Sequence, residues 1–190
     1  MQGELEILQG YVADMLAVER EIHQAFSRQK HDDHTRKFAA AGQLISRVED
    51  TIDRHIKELE TCLKKIDGEE SAVKKAVGAV TGFAGGLVEK LRNEDKVSRM
   101  LRDDYTALGF ATVCYEMLHT TALATQNHEV AELALSHLKA YAPFIMQMAD
   151  VIPEVLIQEL SSEGKIVADH RVAEDAVRNT HSAWEPSSAH

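Results

Sequence analysis

The chain has little of what interrupts a helix or staples a small fold. Among 190 residues there are three prolines, two cysteines and one tryptophan. Scarce proline leaves long stretches free to propagate helix. Cys62 and Cys114 stand alone on helical patterns, which excludes a disulfide framework and suits a reduced, cytoplasmic setting. Positive charge is also short, with 21 basic against 31 acidic residues and a net charge of −10. Such a surface repels phosphate, so no nucleic acid and no anionic membrane is expected as a partner. The longest weakly polar stretch, residues 76–88, is glycine-rich and shorter than the roughly 20 residues of a membrane span, so no stable membrane insertion is expected. The first ten residues, MQGELEILQG, carry acids where a secretory leader carries bases, and no such leader is expected. Nucleotide-binding loops, nucleophile elbows and Cys-x-x-Cys pairs are missing too.

What is present is the composition of a soluble helical protein, 44% hydrophobic and 27% charged, long enough to bury a core without staples. Four apolar repeats alternate spacings of three and four. They run Leu5, Leu8, Val12, Met15, Glu19, Ile22, Phe26; then Phe38, Ala41, Ile45, Val48, Ile52, His55, Leu59, Cys62, Ile66; then Leu101, Tyr105, Leu108, Thr112, Tyr115, His119, Ala122; and last Val130, Ala134, His137, Tyr141, Phe144, Met148, Val151, Val155. This is the seam pattern of packed helices. It predicts helices over residues 3–29, 36–66, 97–125 and 129–160. The connections at residues 30–35 and 125–128 are short and make antiparallel hairpins, whereas residues 67–97 form a long crossover with helical spacing of Val73, Val77, Val80, Phe83, Leu87 and Leu91 among glycines. Two hairpins with one long crossover is the connectivity of a ferritin-like four-helix bundle. The bundle occupies residues 1–160. Pro143 and Pro153 are expected to kink or break the fourth helix. Residues 161–190 read as a polar, flexible tail with a short helix around residues 172–177.

Polar residues inside apolar seams are the informative exception. Glu19, His55, His119 and His137 occupy such positions, and Glu116-Met-Leu-His119 places a carboxylate and an imidazole one turn apart. Carboxylates and histidines converging inside a helical bundle are how di-metal proteins build their sites. Counting from a hairpin centre near Asn127 sets Glu116, His119 and His137 at one level. Counting from a centre near Asp33 sets Glu19 opposite Arg47, within reach of Glu49 and Asp50, and sets His55 opposite Tyr11. The candidate ligand set is therefore Glu19, Glu49, Glu116, His119 and His137, with iron, manganese or zinc as candidate ions. The competing reading is a structural polar network, in which each buried histidine pairs with Tyr11, Tyr115 or a carboxylate and a seam glutamate is held by Arg47 or a histidine. Cys114 has no cation beside it in sequence and reads as an inert core thiol. His31, Asp32, Asp33 and His34 read as a solvated turn with a helix cap.

Over residues 5–160 the chain resembles the bacterial stress-associated ferritin-like proteins. The resemblance is carried by YVADMLAVE at residues 11–19, Val48-Glu49-Asp50-Thr51, and Cys114-Tyr115-Glu116, the last similar to the family's His-Tyr-Glu run. It implies a ferritin-like bundle with a carboxylate and histidine metal site, a homodimer, and a role in stress. The chain departs from that pattern at Cys114, where the family implies a histidine ligand, at Val113 for a glutamate, and at Arg47 for a histidine. Ser136-His137-Leu138-Lys139-Ala140-Tyr141 replaces an acidic run. A di-metal site needs a second Glu-x-x-His, and the second helix offers only the reverse order, His55-Ile-Lys-Glu58. The expectation is a stress-associated bundle with a degenerate or rearranged metal site, not an enzyme. Its rival is an interaction or structural bundle whose polar seam fixes helix register, with a di-metal oxidase ranked third.

Overall fold

The seams become helices close to the expected limits. The computed structural model describes residues 2–67, 96–165, 169 and 171–183. The long helices are α1 (Gln2–His31), α3 (Ala39–Asp67), α4 (Val97–Ala124) and α5 (His128–Ser162), with a one-turn α2 (Asp33–Arg36) and a short α6 (Arg171–Ser182). No strand occurs among the described residues. The crossover helix expected over residues 67–97 falls on positions 68–95, outside the described residues.

Local chemistry explains the ends. The Asp32 carboxylate accepts from the backbone N–H of His34 at 3.2 Å and of Thr35 at 3.4 Å, capping α2. That is the capped turn expected of the His-Asp-Asp-His stretch. Asn127 caps α5 by accepting from the Val130 N–H at 3.1 Å, after Gln126 turns the chain through a left-handed φ of 56°. Lys96 at the head of α4 offers no capping bond. Glu159 of α5 serves instead, accepting from the Ser98 N–H at 3.1 Å and from its hydroxyl. The expected break in the fourth helix does not occur, since α5 runs unbroken through Pro143 and Pro153. Each proline removes only the donor to the carbonyl four residues earlier, at Lys139 and Ala149, and packing holds the remaining turns.

Cross-helix bonds fix the directions. Gln9 donates to the Ile66 carbonyl at 3.2 Å and Lys30 to Glu49 at 2.8 Å, so α1 and α3 are antiparallel. Lys96 meets Glu163 at 2.8 Å and His119 meets the Ala131 carbonyl at 2.8 Å, so α4 and α5 are antiparallel. Gln29 bonds Asp104 and Tyr115 bonds Glu19, which makes α4 antiparallel to α1. Arg47 bonds Gln147 and Lys65 bonds Glu129, which makes α5 antiparallel to α3. Consequently α3 and α4 point the same way, and Asp67 and Lys96 lie at opposite ends of the molecule.

The four long helices enclose one apolar core that includes Leu16, Phe26, Ile45, Ile52, Leu59, Leu108 and Leu118, all essentially inaccessible. Burying such side chains contributes about 1.5–3 kcal/mol each. The register of α4 differs from expectation. Its buried line runs Leu101, Asp104, Leu108, Ala111, Tyr115, Leu118, Ala122, while Tyr105, Thr112 and His119 are half-buried. Both lines share every seventh residue. Between them the structure buries Asp104, Ala111 and Leu118 where the apolar spacing pointed to Tyr105, Thr112 and His119. Beyond residue 161, α6 packs on α5 with Ala173 buried and His181 Nε2 2.7 Å from Asp150 Oδ1. Among the described residues, α5 is long and apolar enough by length and composition to cross a bilayer, with 17% of its apolar window buried. Its Ala134, His137, Tyr141, Met148 and Val155 are buried.

Candidate functional site

Midway along the helices the core turns polar. Glu19 of α1 is 0% exposed. The Tyr115 hydroxyl of α4 donates to its Oε1, the Tyr141 hydroxyl of α5 donates to its Oε2, and His55 Nδ1 of α3 lies 3.1 Å from Oε1. Three donors from three different helices thus converge on one carboxylate. A carboxylate offers only acceptors, and this arrangement supplies the donors that make its burial tolerable.

The network continues outward. His137 of α5 places Nδ1 2.9 Å from the Tyr115 oxygen and Nε2 2.6 Å from Glu58 Oε2. A neutral His137 has a single N–H and donates to either the Tyr115 oxygen or Glu58 Oε2, whereas the imidazolium form donates to both. Glu58 is 45% exposed. It lines a surface groove of about 600 Å³ between α3 and α5, so a continuous chain of bonds links Glu19 to solvent. The rings of His55 and His137 stack with centroids 3.8 Å apart and planes 8° from parallel, and Tyr115 stands edge-on to His137.

Burial, then the charge of Glu19, pushes both phenols well above the ordinary tyrosine range, so both remain donors. Burial and the neighbouring His55 lower the pKa of His137 to about 4, against the pull of Glu58 and Glu19. Burial also raises the thiols, Cys62 to about 11 and Cys114 above its usual value, which agrees with inert core cysteines.

Of the five expected ligands, Glu19 and His137 enter this centre and three do not. Glu116 is exposed. It follows Tyr115 on α4, and since Tyr115 points inward the next residue, about 100° around the helix, points out. His119 is half-buried and commits Nδ1 to the Ala131 carbonyl, because the true buried line of α4 passes through Leu118. Glu49 pairs with Lys30 at 2.8 Å and lies 3.5 Å from His23, at a level nearer the loop. The missing partner is His55, which meets Glu19 rather than Tyr11. The extra turn of α2 moves the centre of the first hairpin from Asp33 to about Lys37, so every level on α3 shifts by roughly two turns. Tyr115 was expected as a partner of a buried histidine and meets His137; Tyr141 was legible only as an apolar seam residue, although a tyrosine at a fully buried position needs a partner for its hydroxyl. His55 and Glu58 lie at i and i+3 on one face, and that spacing was the signal for the second one.

Glu19, His55 and His137 can each aim one ligand atom so that all lie within 4.8 Å of one another. The metal site that the family resemblance implies does not fit this set as arranged. An imidazole ligates along its own ring plane, and two parallel planes 3.8 Å apart share no point. Both nitrogens of His137 are already bonded, as is every oxygen of Glu19. No protein-family model matches the chain, and neither a curated protein nor a solved structure does.

Proposed function

We propose that the chain is a non-catalytic helical bundle of ferritin-like connectivity, in which a hydrogen-bonded carboxylate, tyrosine and histidine network stands where related bundles would hold metal. The connectivity is supported by the parallel direction of α3 and α4, which a single long crossover between two antiparallel hairpins requires. The observation that carries the reading is Glu19, whose two oxygens accept from Tyr115, Tyr141 and His55 on three other helices. Those bonds form in only one relative register of the four helices, so the network selects that register against slipped alternatives. A stress-related role rests on the resemblance of the three short motifs. A homodimer is supported by apolar side chains left exposed on α4 and α5, among them Val113, Met117 and Met146.

The second reading is a single transition-metal ion held by Glu19, His55 and His137, favoured by the proximity of their ligand atoms. Calorimetric titration of the purified protein with Fe(II), Mn(II) and Zn(II) separates the two. The network reading expects no stoichiometric binding and no rise in thermal midpoint. One ion per chain, lost in both Glu19→Ala and His137→Ala, supports the metal instead.

A further inference from the structure

A second polar contact is buried between α1 and α4, toward the α2 end of the molecule. Gln29 Nε2 donates to Asp104 Oδ1 at 2.8 Å across this interface. Asp104 is 0% exposed and Gln29 6%. The remaining atoms of the two groups, Gln29 Oε1 and Asp104 Oδ2, are both buried and both lack a partner. Both are acceptors when the carboxyl is ionised, so neither can satisfy the other. A single proton on Asp104 Oδ2 cures both defects at once, because the acid then donates to the amide oxygen while accepting from the amide N–H.

We propose that Asp104 is a neutral carboxylic acid in the folded protein, closed into a two-bond ring with the Gln29 amide, and that this ring is an alkaline-sensitive latch between α1 and α4. The surroundings favour the neutral form. Burial is the largest influence and pushes the Asp104 carboxyl up to about 8 from 3.8, the Gln29 bond opposes it, and the charge of Asp103 adds to the rise. Asp103 is itself paired with Arg102 at 2.7 Å. Among the described residues, Asp103 is the one charged group that influences Asp104, and charges on the other elements are engaged elsewhere, Lys30 of α1 with Glu49 and Asp50, Arg47 of α3 with Gln147, and Asp150 of α5 with His181. Buried Phe26, Ile45 and Met148 offer no charge to Asp104.

The sign follows from proton counting. Unfolded Asp104 releases its proton near pH 3.8 and folded Asp104 near 8, so between those values folding takes up one proton. Stability from this group is full below about pH 4 and is lost as pH rises through 8. Asp104→Asn is the matched probe, because an asparagine amide keeps a donor and an acceptor toward Gln29 at every pH. Urea unfolding of both chains is to be compared from pH 5 to 9. The folding constant of the unsubstituted chain, relative to Asp104→Asn, is expected to fall about tenfold per pH unit from pH 5 to 7, and to level off above pH 8. A ratio that stays constant from pH 5 to 9 overturns the proposal, and would place an ionised Asp104 with a buried water donating to both oxygens. Infrared spectra of the unsubstituted protein give an answer even where the variant fails to fold. A protonated buried carboxyl band at pH 7 that vanishes above pH 9 is expected, and absence of that band at pH 7 overturns the proposal.

Discussion

Glu19 and Asp104 are both carboxyls with no access to water, one at the middle of the core and one toward the α2 end, and they are served very differently. Glu19 receives three hydrogen bonds from three helices. Asp104 receives one, and leaves an oxygen of its own and one of Gln29 without a partner. Burial alone therefore does not set the state of a carboxyl. The number of donors aimed at it does, because each donor replaces part of the lost hydration of the charge. Where donors abound, the carboxyl becomes a junction of helices. Where they are missing, a proton takes the place of a donor.

The comparison breaks most visibly at Glu19. Glu19→Ala removes the acceptor for Tyr115, Tyr141 and His55 together, and urea unfolding is expected to show a loss of about 3–5 kcal/mol, the range for breaking a buried charged network. Leu108→Ala, a purely apolar change at an equally buried position, sets the scale at about 2–5 kcal/mol. A loss under about 1 kcal/mol for Glu19→Ala would mean that the junction contributes no more than an ordinary surface group.

The two regions also have opposite pH signatures. His137, with a folded pKa of about 4 against 6.5 unfolded, stays neutral in the fold. Its contribution is present above pH 6.5 and is lost as pH falls toward about 4. Asp104 changes in the other direction over the same interval. Their slopes oppose between about pH 4 and 6.5, and only the Asp104 slope remains from 6.5 to 8. Unfolding measured across pH 4–8 is expected to show stability falling in the upper part of the range. In Asp104→Asn that fall disappears, and a rise from pH 4 to 6.5 is uncovered. Parallel curves for the two chains would remove the distinction between the regions.

Helices were legible in the sequence and their relative levels were not, for identifiable reasons. Apolar spacing marks which face of a helix is buried, so the four long helices and most of their seams were legible. Glu19 and His137 stood out because they are polar on an apolar face. Levels depend on where a hairpin turns, and α2, a single turn held by the Asp32 cap, adds residues that no periodicity reveals. That displaced His55 from its partner. On α4, Leu101, Leu108, Tyr115 and Ala122 fit two registers equally, and the expected seam ran through Tyr105 where the structure buries Asp104. The partner that makes Asp104 acceptable, Gln29, lies 75 residues away and has no local signature.

The smallest effect is expected where the sequence pointed to a ligand and the structure places an exposed residue. Glu116→Ala is expected to change stability by no more than about 0.5 kcal/mol, as for an ordinary surface site, with unfolding midpoints as the check. A loss of about 2 kcal/mol or more, the scale of a buried group, would return Glu116 to the core and reverse the register of α4.

The central claim, that Glu19 is the acceptor joining the helices, is tested most directly by a double-mutant cycle in urea unfolding. Tyr141 donates its hydroxyl to Glu19 Oε2. In the unsubstituted chain Tyr141→Phe is expected to cost about 1.5–3 kcal/mol, the range for a hydrogen bond to a charged group. In the Glu19→Ala background the same change is expected to cost nothing or to stabilise, because it then removes a hydroxyl with no acceptor. An equal cost of Tyr141→Phe in the two backgrounds would contradict the account.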